Sequence, residues 1–115
     1  MPDHVHLVVK LGRRLSLERT VGKFKNSTRK LLREGTLEWQ ENFYDHRLRV
    51  EDDCEAFVKY IFLNPYRAGL INLREHWPWW WRWGDLKFEF EAMVRQHGGV
   101  PAEWIAENPP LGAAD

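Results

Sequence analysis

Apolar positions along the chain change their period several times, and each change predicts an element. From His4 to Lys10 the run His-Val-His-Leu-Val-Val-Lys is short and rich in β-branched side chains. Gly12, Arg13 and Arg14 close it, which predicts a strand. Behind Ser16, a capping residue type, Leu17, Val21, Phe24, Thr28 and Leu31 recur at alternating steps of four and three, predicting a helix that closes at Gly35. Large and polar residues alternate from Trp39 to Val50, and a second strand is expected from about Phe43 to Arg49. Glu51, Asp52 and Asp53 then place negative charge where a helix N-terminus favours it. Cys54, Phe57, Val58, Ile61 and Phe62 form one apolar stripe behind them, and Asn64-Pro65 is the expected stop. Gly69 leads into Leu70-Ile71, and His76 to Trp83 is dense in aromatic rings. Asp85 to His97 predicts a last amphipathic helix with Leu86, Phe90, Met93 and Val94 inward, ended by Gly98-Gly99. The tail from Val100 to Asp115 has little pattern beyond its prolines, with Trp104-Ile105 as its apolar anchor.

Composition narrows this to one hydrophobic core, since 115 residues with 43% hydrophobic side chains and seven tryptophans fill one core and not two. Lys and Arg number 17 and so do Asp and Glu, so average charge says nothing about partners. The distribution says more. Between Lys10 and Arg33 nine basic residues face only Glu18, whereas acids dominate from Glu34 to Tyr60. A basic segment on a neutral domain suits phosphate binding, because Lys and Arg neutralise phosphates and release counterions; a solvated helix face accounts for the charge equally well. Cys54 is the single cysteine, so no intramolecular disulfide forms, and no apolar stretch approaches a membrane span. The first residues do not read as a signal peptide, and a cytoplasmic protein is the simplest fit.

Four residues have chemistry worth weighing. On a strand, His4 and His6 point to one face, where two imidazoles side by side can hold one divalent ion, although chance histidine pairs are common. Tyr60 and Asn64 lie four apart on a helix and project from the same side, away from the Cys54/Phe57/Ile61 stripe. Taken alone, Tyr60 reads more simply as a ring at the rim of the core with its hydroxyl in water. A metal-dependent hydrolase without any nucleic-acid substrate would need further ligands, and Asp45 and His46 are the nearest candidates.

Longer strings around these residues resemble a family. Met1-Pro2-Asp3-His4-Val5-His6-Leu7-Val8-Val9 is similar to the HUH strand (histidine, hydrophobic, histidine) of the REP-associated tyrosine transposases, single-tyrosine HUH enzymes. Trp39-Gln40 with Phe43-Tyr44-Asp45-His46 resembles the family's next strand. The string from Tyr60 to Ile71, Tyr-Ile-Phe-Leu-Asn-Pro-Tyr-Arg-Ala-Gly-Leu-Ile, resembles its tyrosine helix and exit loop. The motifs appear in family order from Met1 to about Trp83, with the basic helix between the two strands.

The resemblance implies an α+β fold, a ferredoxin-like antiparallel sheet with helices on one face. Family members place a strand and helix ahead of the HUH strand, so the expectation is an N-terminally incomplete version: a partial catalytic domain over 1–84, then a C-terminal helix and proline-rich tail over 85–115. Some family members cover the active site with such a tail. The family pattern further implies His4 and His6 as metal ligands, Asn64 as a third, amide-type ligand, Tyr60 as nucleophile, and Mg²⁺ or Mn²⁺ as the ion. The implied activity is cleavage and rejoining of single-stranded hairpin DNA through a 5′-phosphotyrosine link. That chemistry needs a cation to offset charge on the phosphate and a phenol favoured in its ionised form. The link stores the bond energy, so rejoining needs no ATP.

Lys10, Arg13, Arg14, Lys23, Lys25, Arg29 and Lys30 are the expected DNA-phosphate contacts. Unpaired bases could stack on those of Trp77, Trp79, Trp80, Trp81 and Trp83 that stay exposed, with core packing expected for about three of the five. Trp80 and Trp81 stand where family counterparts have small polar residues. A strand edge without a neighbour would invite a second chain, which leaves a homodimer open. The alternative to an enzyme is an inactive remnant that at most binds hairpin DNA.

Overall fold

The computed structural model describes residues 3–49, 52–111 and 113. The chain divides into two compact units, one formed by Met1–Leu7 with His46–Asp115 and the other by Val8–Asp45. Four helices and no strand are found among the described residues.

The expected ferredoxin-like sheet is therefore corrected. Neither His4–Lys10 nor Phe43–Arg49 enters a β-ladder, since a ladder is a property of two segments that exchange backbone hydrogen bonds, and among the described residues neither pairs with a second extended segment. Without that layer the alternating pattern sorts nothing: Val5 and Leu7 are 53% and 54% exposed.

In the Val8–Asp45 unit, α1 spans Leu17–Glu34. Ser16 caps it as the sequence predicts, its Oγ accepting from the Arg19 N–H at 3.2 Å. Gly35 keeps a negative φ, and the left-handed position falls instead on Thr36 at φ 60°. There the Thr36 and Leu37 N–H groups close the helix on the Arg33 and Leu32 carbonyls. No α1 residue is fully buried, and Leu31, expected inward, is exposed. The unit is held by Trp39, whose ring lies 5.6 Å from that of Phe24 and whose indole N–H donates to Thr28 Oγ1 at 2.8 Å.

The other unit contains α2 (Cys54–Arg67), α3 (Glu89–His97) and the single turn α4 (Ala102–Ile105). Asp53 caps α2 by accepting from the Ala56 N–H. Glu51, also expected at this start, lies outside the described residues. Pro65 does not stop α2 as expected; it sits in the last turn, the helix ends at Arg67 with Ala68 as its cap, and Gly69 beyond it takes the left-handed region. The Gly69 and Leu70 N–H groups return to the Tyr66 and Pro65 carbonyls, which satisfies the frayed end.

The core face of α2 is Val58, Phe62, Leu63 and Tyr66, packed with Phe90, Val100 and Trp104. It is rotated from the expected stripe, and Cys54 is exposed. Only Phe90 of α3 is fully buried, while Leu86 and Met93, expected inward, are about half exposed. Asp85–Phe88 precedes the helix. Trp104 anchors the tail as expected, buried in the core under the Lys59 ammonium 4.0 Å from its ring.

Candidate active site

His4 and His6 come together at a ring-centroid distance of 4.8 Å with planes at 85°. His4 Nδ1 bonds the Asp3 carboxylate at 2.6 Å, which fixes that ring and leaves its Nε2 for another partner. The same bond pulls the Asp3 carboxyl below its ordinary value. His6 is half-buried, and its Nε2 is shielded from solvent with no hydrogen-bond partner among the described residues. Burial, reinforced by His4, holds the His6 imidazole below its usual value. A neutral imidazole keeps the lone pair that a cation needs, and a buried ring nitrogen without a partner is costly unless something occupies it. These two residues therefore suit a divalent ion. Among the described residues no cluster of three His, Cys, Asp or Glu side chains adds to them. His46 instead stacks on Phe57 at 5.4 Å, so it joins the packing of α2.

Tyr60 and Asn64 occupy successive turns of α2, and both are buried, at 5% and 9% exposure. The expected placement on a polar outer face is corrected: the tail and α4 pack along this side of the helix, with Arg67 Nη2 donating to the Trp104 and Glu107 carbonyls at 3.3 and 3.2 Å. Asn64 Nδ2 donates to the Tyr60 carbonyl at 3.2 Å, which leaves its amide oxygen as the group able to meet a cation.

Tyr60 lines a cleft of about 270 Å³ with Asp53, Glu55, Lys59, Arg67, Glu107 and Asn108 among its walls. Neither histidine lines this cleft. The Arg67 guanidinium lies over the Tyr60 ring at 4.9 Å, and Lys59 pairs with Glu107 at 3.0 Å. Sequence reasoning passed over Arg67, although it stands seven residues after Tyr60, two helical turns along the same face. Asp3 was likewise given no role, and its adjacency to His4 was the available signal.

Of the expected phosphate contacts, Lys10, Arg13 and Arg14 line one concavity of the Val8–Asp45 unit. Lys23, Arg29 and Lys30 lie exposed on α1. Lys25 is engaged within its own unit, donating to the carbonyls of Gln40, Glu41 and Asn42 at 2.6 to 3.4 Å.

The family model described as IS200-like transposase matches residues 1–61. The chain belongs to the IS200-like transposase family. His4, His6 and Tyr60 fall inside the matched segment, and Asn64 lies just beyond it. The chain is 27% identical to a Haemophilus influenzae protein assigned to the REP-associated tyrosine transposases, over 96% of this chain and 65% of that protein. A REP-associated tyrosine transposase of Escherichia coli K12 is 35% identical over 35% of this chain and 24% of its own length. The chain thus spans just under two thirds of the first of these transposases. Both of these similar proteins are REP-associated tyrosine transposases. No solved structure matches the chain. No helix among the described residues is long and apolar enough to cross a membrane.

Proposed function

We propose that this transposase-family chain cleaves and rejoins single-stranded DNA at hairpin, REP-like sequences through a covalent link to Tyr60. The observation that carries the reading is the convergence of His4 and His6, with a buried His6 Nε2 that has no described partner, inside the family-matched segment that also contains Tyr60. His4 and His6, completed by the Asn64 amide oxygen, would hold Mg²⁺ or Mn²⁺. When bound, the cation supplies positive charge that offsets the charge accumulating on the phosphate oxygens.

Tyr60 Oη attacks the phosphorus and gives up its proton, the bond from phosphorus to the 3′ oxygen breaks, and that oxygen leaves as a hydroxyl. The 5′ phosphate stays on the tyrosine. Rejoining is the reverse with another 3′-hydroxyl, and the energy of the broken bond is conserved. Arg67 holds the Tyr60 ring from above and places a fixed positive charge beside the phenol. Lys10, Arg13, Arg14, Lys23, Arg29 and Lys30 supply phosphate contacts, and Lys25 orders the 40–42 loop of the same unit.

The test is incubation of the purified protein with a hairpin-bearing single strand and Mn²⁺ or Mg²⁺, resolved on a denaturing gel. A protein–DNA adduct is expected from the native chain and none from Tyr60→Phe, which keeps its DNA affinity. Salt-sensitive binding without an adduct under either metal would identify a binding module instead.

A further inference from the structure

Two cations flank Tyr60 in the cleft it lines. Lys59 precedes it in the chain, and Arg67 stands two turns further along the same helix. Each is held in place. The Lys59 ammonium sits 4.0 Å from the Trp104 ring, and Arg67 Nη2 donates to the Trp104 and Glu107 carbonyls at 3.3 and 3.2 Å. Glu107 reaches both cations: its Oε2 accepts from Lys59 Nζ at 3.0 Å while its backbone oxygen receives the Arg67 donor. Arg67 Nε, by contrast, is shielded from solvent and has no hydrogen-bond partner among the described residues. Buried donors are nearly always paired, so an idle one beside a second cation points to an acceptor that Glu107 does not supply.

We propose that Lys59 and Arg67 form a phosphate-binding subsite beside Tyr60, and that Glu107 stands in it where a phosphate group of the strand would lie. A planar guanidinium with an unspent N–H and a compact ammonium are the donors that phosphate oxygens take. A phosphate group has enough oxygens to meet Lys59 and Arg67 Nε together, whereas the Glu107 carboxylate bonds Lys59 and leaves Nε idle. At about 270 Å³ the cleft lies under the roughly 300–1,000 Å³ usual for drug-sized ligands, which suits a small anion.

The other acids on the cleft wall are engaged at helix starts. Asp53 accepts from the Ala56 N–H of α2 at 3.2 Å, and Glu55 from the Glu89 N–H of α3 at 2.9 Å. There the helix dipoles offset their charge. Glu107 is the acid that has to leave, and its side chain is 47% exposed, so water can hydrate it once it does. The subsite rests on the strand-cleaving reading above and deepens it: a phosphate held by Lys59 and Arg67 fixes the position of the strand against the helix that carries the nucleophile.

The test uses the full chain without metal and follows its backbone amide resonances as inorganic phosphate replaces chloride at constant ionic strength. Weak, saturable shifts at Lys59, Arg67 and Glu107 are expected in the native protein. Glu107→Gln removes the competing charge and should tighten phosphate binding on the order of tenfold. A gain of binding cannot come from misfolding. Lys59→Met keeps the aliphatic stem, should leave the far-ultraviolet circular dichroism native, and should abolish the gain when combined with Glu107→Gln. A Glu107→Gln chain that binds phosphate no more tightly than the native one overturns the subsite and leaves Glu107 as a fastener of the tail. So does a gain that survives Lys59→Met, or a response confined to Lys10, Arg13 and Arg14. A thymidine dinucleotide with its single phosphodiester separates the sources of the group: an equal gain for it supports a strand phosphate, and a gain for inorganic phosphate alone removes the strand from the site. If the gain appears and no adduct forms with any metal, the subsite stands and the nuclease reading falls. If the adduct forms and Glu107→Gln gains nothing, the reverse holds.

Discussion

Replacing Tyr66 by Phe removes one oxygen and leaves the aromatic packing in place, which makes its effect calculable. Tyr66 is 6% exposed and tilts against Phe62 at 5.6 Å, contacts that a phenylalanine keeps. Its hydroxyl donates to the Glu75 carbonyl at 2.8 Å and accepts from the Trp77 N–H at 3.3 Å. Without it, two part-buried backbone groups lose their partner. A buried polar group left unsatisfied costs about 1–3 kcal/mol, and because water reaches these two in part, a total of about 2 kcal/mol is expected. In urea, where small proteins lose about 1–3 kcal/mol per molar denaturant, the midpoint should fall by roughly 1 M. An alkaline titration supplies a second readout. Burial holds the Tyr66 phenol above its ordinary value, so the folded state favours the protonated form. Stability from this group is fully present below pH 10, the ordinary tyrosine value, and is lost as pH rises through the higher folded value. Tyr66→Phe should lack that alkaline decline. A variant with the native urea midpoint and the native alkaline profile would refute the claim that this hydroxyl ties the 75–77 segment to α2.

Thr36→Gly should stabilise the Val8–Asp45 unit by roughly 1 kcal/mol, because a β-branched residue at φ 60° is strained and glycine is not; a destabilised variant in thermal unfolding contradicts this. Gly99→Ala should destabilise by about 1–3 kcal/mol, since φ is 155° and an added Cβ would lie 2.7 Å from the Leu73 carbonyl oxygen; an unchanged melting temperature would show that the loop yields freely. Asp3→Asn should weaken Mn²⁺ binding, followed by electron paramagnetic resonance, by about 10–100-fold through loss of the charged partner that orients His4, and equal affinity would remove Asp3 from the site.

Local signals were legible and non-local ones were not. Ser16 announces α1, the acidic run announces α2, and Gly98 ends α3 because capping is settled within one turn of backbone. The two strands failed because pairing depends on distant segments, and alternation alone cannot supply a neighbour. The buried face of α2 was misplaced by about one residue: the tail at Trp104 and the ring of Phe90 decide which side is covered, and neither is visible in the helix's own period. For the same reason Tyr60 and Asn64, read as outward, are covered by α4 and the tail. Among the five clustered tryptophans, two rather than three pack against the core, Trp77 and Trp80, because a turn at Pro78-Trp79 resets the register and positions alternate only from Trp79 to Trp83. The histidine pair was legible as a pair, whereas the shielding of His6 Nε2 that gives it chemical meaning required the fold.

The central claim is that one particular phenol takes the phosphate, and peptide mapping of the cross-linked product tests it. Trypsin cuts after Lys59 and Arg67, releasing the peptide Tyr60–Arg67, which contains both Tyr60 and Tyr66. After reaction with hairpin single-stranded DNA and nuclease trimming, fragment ions should place the remaining nucleotide on Tyr60. A nucleotide on Tyr66 or Tyr44, or a native chain that reacts with no tyrosine at all, would contradict the account.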